Sequence, residues 1–83
     1  INNQAKALMW WNNSIKEGER LKANLELSRT YFEVGKQLNE KKSQYKELNG
    51  IKAEEYLEKA QTMFEELDLR WDLEKLDRIN TYK

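Results

Sequence analysis

The sequence has no cysteine, no histidine and no proline, and it has only three glycines. Without cysteine the chain can form neither a disulfide nor a thiolate metal site, and it has no thiol nucleophile. Without histidine it lacks the usual partner of a catalytic serine and a common metal ligand. The absence of proline, together with abundant Leu, Glu, Lys and Ala, favours helix nearly throughout. We therefore expect an all-α fold.

The chain also lacks an excess of charge of either sign, since fifteen Lys and Arg offset fifteen Asp and Glu. No overall field would steer it towards nucleic acid or an anionic membrane, and neither is expected as a partner. The apolar run from Ala7 to Trp11 is far shorter than the roughly 18 residues of a membrane span. We expect a soluble chain, with the cytoplasm as the default location.

Residues 1–83 are enough for one small domain, which buries too little surface to be more than marginally stable without tight helix packing or neighbours. The first residue is Ile1 rather than methionine. Both observations lead us to expect an excerpt from a longer protein, although a processed chain would look the same.

Two stretches repeat one spacing of small, large and small residues on a helix face: Ala7, Trp11 and Ser14, and then Ala53, Leu57 and Ala60. Small residues at this spacing let a neighbouring helix approach closely, and the large side chain fills the remaining gap. The second stretch lies 46 residues after the first. This pattern predicts the packing seam of stacked helical hairpins.

The spacing of apolar residues predicts about four helices, over residues 3–16, 20–38 or longer, 51–67 and 69–79. Gly18 is placed to end the first helix in a left-handed cap, and Asp68 to cap the fourth. The fourth helix has one narrow apolar stripe, formed by Leu69, Leu73, Leu76 and Ile79. A single stripe is typical of a terminal capping helix.

The second helix carries two apolar stripes, which indicate neighbours on two sides. Gly35 lies on one of them, where it costs about 1 kcal/mol relative to alanine. We expect a close backbone crossing at Gly35; the alternative is that the helix ends there. Residues 39–50 form a polar insertion that ends in the turn signal Asn49-Gly50. For this insertion we favour partial helix over a flexible loop.

The tryptophans call for separate interpretations. Trp10 lies about 100° around the helix from Trp11, so it either packs on the second helix or faces a neighbouring repeat or a partner protein. If the chain is an excerpt, a neighbouring repeat is favoured. Trp71 is expected to seal the end of the core.

Seven residues of the second and third predicted helices follow an order of large, Leu, small and aromatic, and then Ala, large and Ala: Asn24, Leu27, Ser28, Tyr31, Ala53, Leu57 and Ala60. In this order the chain resembles the tetratricopeptide repeat (TPR). It departs from that family in the polar Asn24, in having no proline to close the repeat, and in about a dozen extra residues between the helices. The resemblance implies antiparallel hairpins stacked as a right-handed solenoid that binds proteins.

The stretches Arg29 to Lys36 and Phe64 to Leu73 are also similar to the C-terminal repeats of large bacterial signalling regulators. This similarity implies a regulatory or signalling context, and it transfers no catalytic residue. In such arrays the first helix of each repeat lines the concave surface. The resemblance therefore places five residues of the second helix on a protein-binding face: Lys22, Leu25, Arg29, Phe32 and Lys36.

A basic line beside two apolar side chains would suit an extended peptide with carboxylates and an apolar anchor. Leu25 and Phe32 could equally be ordinary core residues. The acidic clusters at 54–58 and 65–68 are interpreted as solvated helix faces, and the lysines at 36–46 are diluted by Glu40 and Glu47. We expect no enzyme, no cofactor and no metal.

The expected partner is a protein or peptide, or adjacent repeats of the same polypeptide. Two other functions stay open. The chain could be a structural end-cap with no external ligand, or it could self-associate through exposed hydrophobic ends.

Overall fold

The computed structural model describes the backbone of residues 3–40 and 45–81 and the side chains of residues 6–40 and 45–79. In this part of the chain the elements are α1 (Asn3–Leu21), α2 (Asn24–Asn39), β1 (Glu47–Leu48), β2 (Ile51–Lys52), α3 (Ala53–Glu66) and α4 (Arg70–Thr81). The all-α fold is confirmed, with one very short β-hairpin added. No helix among the described residues is both long enough and apolar enough to cross a membrane.

Helix α2 lies between the other helices. Its largest contact is with α3, it also packs against α1, and it touches α4, which packs mainly on α3. The neighbours on two sides that its two apolar stripes predict are therefore present. Leu27, Tyr31, Val34 and Leu38 of α2 are all buried.

The predicted packing seam is confirmed for its residues on α3, which packs against α2. Ala53, Leu57 and Ala60 are buried, and the ring of Phe64 packs against Phe32 with 5.9 Å between the ring centroids. A Cβ atom placed on Gly35 would lie 2.8 Å from Cγ of Leu57, closer than carbon atoms approach in real structures. The close backbone crossing is thus confirmed, and the alternative of a helix end at Gly35 is wrong.

The two helix–helix turns have the same hydrogen bonds. In the first, the amides of Lys22 and Ala23 donate to the carbonyls of Glu19 (3.3 Å) and Gly18 (2.9 Å). In the second, the amides of Asp68 and Leu69 donate to the carbonyls of Glu65 (3.2 Å) and Phe64 (2.8 Å). Lys22 and Asp68 adopt left-handed φ values of 55° and 56°. Both turns are Schellman motifs, and they lie 46 residues apart, like the two predicted seams.

This geometry corrects the predictions about caps. α1 does not end near Lys16, because Gly18 is buried inside the helix against Leu27 and Lys22 takes the left-handed position instead. α2 accordingly begins at Asn24 rather than near residue 20. Asp68 ends α3 and does not cap α4, whose first turn is closed by the amide of Leu73 donating to the carbonyl of Leu69.

The polar insertion is a hairpin where the structure describes it. α2 ends at Asn39, and Glu47 pairs with Lys52 and Leu48 with Ile51 across the turn at 49–50. Asn49 and Gly50 both have positive φ, which is the type I′ geometry that the Asn-Gly signal favours. Continued helix over 45–50 is therefore wrong, whereas residues 41–44 lie outside the described part of the chain. The hydroxyl of Tyr56 fixes the hairpin by donating to the carbonyl of Leu48 (2.8 Å).

Candidate functional site: a cleft between the second and fourth helices

The acidic clusters lie on exposed faces of the structure. The six carboxylates predicted to be solvated are all exposed, namely Glu54, Glu55, Glu58, Glu65, Glu66 and Asp68. Within the described residues no group of three acidic side chains could hold a metal ion. Ser28 is fully buried and its hydroxyl donates to the carbonyl of Leu25 (2.7 Å), so its side chain is part of the packing of α2.

The five residues predicted for the binding face differ in location and in exposure. Lys22 lies in the α1–α2 turn rather than on α2, although it is exposed. Phe32 is only 6% exposed, which fits the alternative that it is an ordinary core residue. Leu25 is 39% exposed, and Arg29 and Lys36 are also exposed.

Two of these five residues line a cleft of about 370 Å³ between α2 and α4. The lining consists of Arg29, Phe32 and Glu33 from α2 and of Trp71, Asp72 and Lys75 from α4. Four of these six side chains are charged and two are aromatic. Phe32 belongs to the core and is nearly buried, whereas Trp71 is exposed.

One ion pair fixes the two edges of the cleft relative to each other. Nη2 of Arg29 lies 3.4 Å from Oδ2 of Asp72, and the Asp72 carboxylate is almost buried while Arg29 is half-exposed. A carboxylate in that position needs a cation nearby, because burial without a partner would be costly. Arg29 consequently neutralises Asp72 and keeps part of its guanidinium accessible from the cleft.

The charged side chains that line the cleft balance one another. Lys75 and Glu33 stand on opposite edges and are exposed, and Arg29 pairs with Asp72. Lys36 lies one turn beyond Glu33 on α2 and is exposed, but it does not line the cleft. The cations accessible from the cleft are therefore Lys75 and part of the Arg29 guanidinium.

Trp71 is the exposed aromatic side chain among the residues that line the cleft. It is 80% exposed, so the prediction that it seals the end of the core is wrong. The physical reason is its position on α4: Leu76 lies on the face that packs on the core and is buried, whereas Trp71 lies on a different face. A large aromatic side chain open to solvent beside cations is typical of residues that bind proteins.

A second and larger cleft of about 510 Å³ lies between α2 and α3, and Tyr31 and Lys59 are among its lining residues. Both side chains have interactions within the chain. The hydroxyl of Tyr31 donates to the carboxylate of Glu19 (3.1 Å), and Nζ of Lys59 lies 5.8 Å from the centre of the Tyr31 ring. These contacts connect α1, α2 and α3. The α2–α4 cleft is chosen as the candidate site because Arg29 and Phe32, two of the five residues predicted for the binding face, line it, whereas none of the five lines the larger cleft.

Tyr31 gives the fold a measurable alkaline sensitivity. Burial, followed by the neighbouring negative charge of Glu19, raises the pKa of Tyr31 to about 12. The stabilisation linked to the protonated hydroxyl is therefore fully present below pH 10, the ordinary tyrosine pKa, and is lost as the pH rises towards 12. We expect Tyr31→Phe to lose less free energy of unfolding than the parent between pH 9.5 and about 11.5.

The measurement is urea unfolding followed by circular dichroism at several alkaline pH values. Effects of pH that are common to both proteins cancel in the difference between their stabilities. At neutral pH the variant should be about 1 kcal/mol less stable, because it lacks one hydrogen bond. Identical alkaline slopes for the two proteins would contradict this role of Tyr31.

Comparison of the chain with protein-family models, with curated proteins and with solved structures finds no match. The function is therefore inferred from the residues of the chain and from the geometry of the α2–α4 cleft.

Proposed function

We propose that the chain is a noncatalytic protein-interaction module, built as a TPR-like stack of hairpins within a larger cytoplasmic regulatory or signalling protein. In this proposal the α2–α4 cleft binds an extended peptide. The observation that carries it is the exposed Trp71 beside the cleft-lining cations Arg29 and Lys75.

The repeated register of the two hairpins supports the TPR-like part of the proposal. The left-handed residues of the two turns, Lys22 and Asp68, are separated by the same 46 residues as Ala7 and Ala53. Under this shift α1 corresponds to α3 and α2 corresponds to α4. In a TPR stack α2 and α4 would be the helices that line the concave surface, and the cleft lies between them.

The chemistry of the cleft defines the ligand class. An apolar side chain of the peptide would lie against Trp71 and the edge of Phe32, where most apolar surface is removed from water. Carboxylates beside it would face Lys75 and the accessible part of the Arg29 guanidinium, which would favour acidic over basic peptides and speed association at low salt. We therefore propose an acidic peptide with one large apolar residue.

The peptide proposal is tested with labelled short peptides that carry one leucine or phenylalanine among aspartates, and with matched peptides in which lysine replaces aspartate. Fluorescence anisotropy should show binding of the acidic set only. We expect Trp71→Ala to weaken that binding about tenfold or more, because an exposed aromatic anchor of this kind contributes on the order of 1–3 kcal/mol. Trp10→Ala is the matched control, since Trp10 is exposed on α1 and does not line the cleft.

Equal binding of acidic and basic peptides, or full affinity in Trp71→Ala, would contradict the peptide-binding role. A structural end-cap is the second candidate function, because the exposed residues of α4 include Glu74, Asp77 and Arg78, a charged surface typical of a terminal helix. If no peptide of either set binds, the end-cap is favoured over the peptide-binding module.

A further inference from the structure

A second exposed apolar surface lies on α1, away from the cleft. Met9 and Trp10 are adjacent and are 68% and 66% exposed, so the alternative that Trp10 packs on α2 is wrong. Charged residues make up 36% of the whole chain, yet the run from Ala7 to Ile15 contains none. A helix segment without charge on any face is typical of one that is covered on more than one side.

The 46-residue correspondence relates this surface to a face of α3 that packs against a helix. Trp10 corresponds to Tyr56, which is fully buried where α3 meets α2, with its ring 5.9 Å from that of Tyr31. Ala7, Trp11 and Ser14 correspond to the buried seam of α3 but are only half-buried. The face of α1 thus has the small and large residues that pack a helix, and part of it is open to solvent.

The exposed stripe of α1 is complementary to itself when reversed. Lys6, Trp10, Asn13 and Glu17 follow at spacings of four, three and four residues, so they share one helix face, and all four are exposed. The stripe has a cation at its N-terminal end and an anion at its C-terminal end. Two such stripes in antiparallel orientation bring Lys6 of one copy to Glu17 of the other, twice, whereas a parallel pair would set like charges opposite each other.

We propose that the chain forms a two-fold symmetric homodimer through α1, with the two copies of α1 packed antiparallel and Trp10 at the centre of the interface. Within one chain both carboxylate oxygens of Glu17 accept hydrogen bonds from the Arg20 guanidinium. Both side chains are exposed, and a surface pair of this kind contributes little, so Glu17 can exchange it for a pair with Lys6 of the second copy. Head-to-tail stacking of copies is disfavoured, because it would place uncharged α1 against the charged surface of α4.

A single pair of helices buries less than the roughly 800 Å² per partner of a standard interface. The dimer is therefore weak, and it forms at micromolar concentrations or above. The α1 interface lies apart from the α2–α4 cleft. The dimer can therefore be tested independently of the proposed peptide binding.

The test is sedimentation equilibrium of the whole chain over a concentration series, with circular dichroism to show that each variant is folded. The parent should pass from monomer to dimer without larger species. Lys6→Glu alone and Glu17→Lys alone should each weaken the dimer about tenfold or more, because each sets like charges opposite each other. The double variant Lys6→Glu/Glu17→Lys should return to within about threefold of the parent, since opposite charges again face each other.

Trp10→Glu should abolish the dimer, whereas Trp71→Glu, at an exposed tryptophan position on another helix, should leave it unchanged. A parent that stays monomeric at all concentrations would overturn the proposal. So would a double variant as weak as the single variants, or loss of the dimer in Trp71→Glu. None of these results would affect the peptide-binding measurement, because that measurement depends on Trp71→Ala with Trp10→Ala as control.

Discussion

Ala60→Glu is expected to unfold the chain at room temperature. Ala60 has 0% of its surface exposed and lies on the α3 seam that faces α2. A glutamate there would overfill the helix crossing and bury a carboxylate without a cation, and each of these effects costs several kcal/mol. A chain of 83 residues has about 4–12 kcal/mol of stability in total, so the loss consumes most of it or all of it. Circular dichroism at 222 nm and thermal melts measure the result.

The matched control is Gln61→Glu, which adds the same carboxylate one residue further along α3 at an exposed position. It should melt within a few degrees of the parent, and so should Lys36→Glu on the exposed face of α2. A melt of Ala60→Glu as high as that of Gln61→Glu would show that the seam is wrongly assigned.

Gly35→Leu is expected to destabilise the chain by about 3 kcal/mol or more. The first carbon of a side chain at Gly35 would already lie 2.8 Å from Cγ of Leu57 and 3.2 Å from the backbone oxygen of Ala53. Leu57 is buried and cannot move aside without opening the core, and the Ala53 oxygen belongs to the first turn of α3. Helices α2 and α3 would therefore have to separate, at the cost of their largest shared interface.

Alanine substitutions provide the matched comparison. Gly35→Ala should also be destabilising, because the overlap at the crossing exceeds the gain of about 1 kcal/mol in helix propensity. Gly18→Ala has the same gain in helix propensity, and its Cβ would lie 3.2 Å from the flexible end of the Leu27 side chain. Its net effect on the free energy of unfolding should therefore stay within about 1 kcal/mol of zero. Denaturant unfolding of the two variants measures the difference. Equal stabilities would contradict a specific close approach at Gly35.

The parts of the fold that the sequence predicts well depend on patterns within one helix or one turn. The face of α3 is an example, because Ala53, Leu57 and Ala60 repeat at helical spacing and are all buried. The Asn49-Gly50 turn is another, since few residues other than Asn and Gly readily adopt left-handed φ at two successive positions.

The errors came from positions where a local rule competes with packing. Gly18 has the chemistry of a left-handed cap, but it lies inside α1 because a small residue is needed where α2 passes close to it. Lys22 and Asp68 take the left-handed positions although neither is glycine. The strain of about 1 kcal/mol at each is offset by the two hydrogen bonds of its turn.

The candidate site, too, was predicted from the sequence only in part. The cationic stripe of α2 is visible in the sequence, and the structure places Arg29 at the cleft. Trp71 was missed because α4 was interpreted as the end of the core. One signal was available in the sequence, because the 46-residue shift takes Leu25, which was predicted to lie on the binding face, to Trp71.

The sequence by itself determined the helical class, the four helix regions, the α3 seam and the close approach at Gly35, because propensity and periodicity act over a few neighbouring residues. Only the tertiary structure decided that Asp72 meets Arg29 across 43 positions of the chain, that Trp71 faces solvent and that part of the α1 surface is open. Those outcomes depend on how the helices pack against one another, and the free energy of that packing is distributed over contacts between residues far apart in sequence.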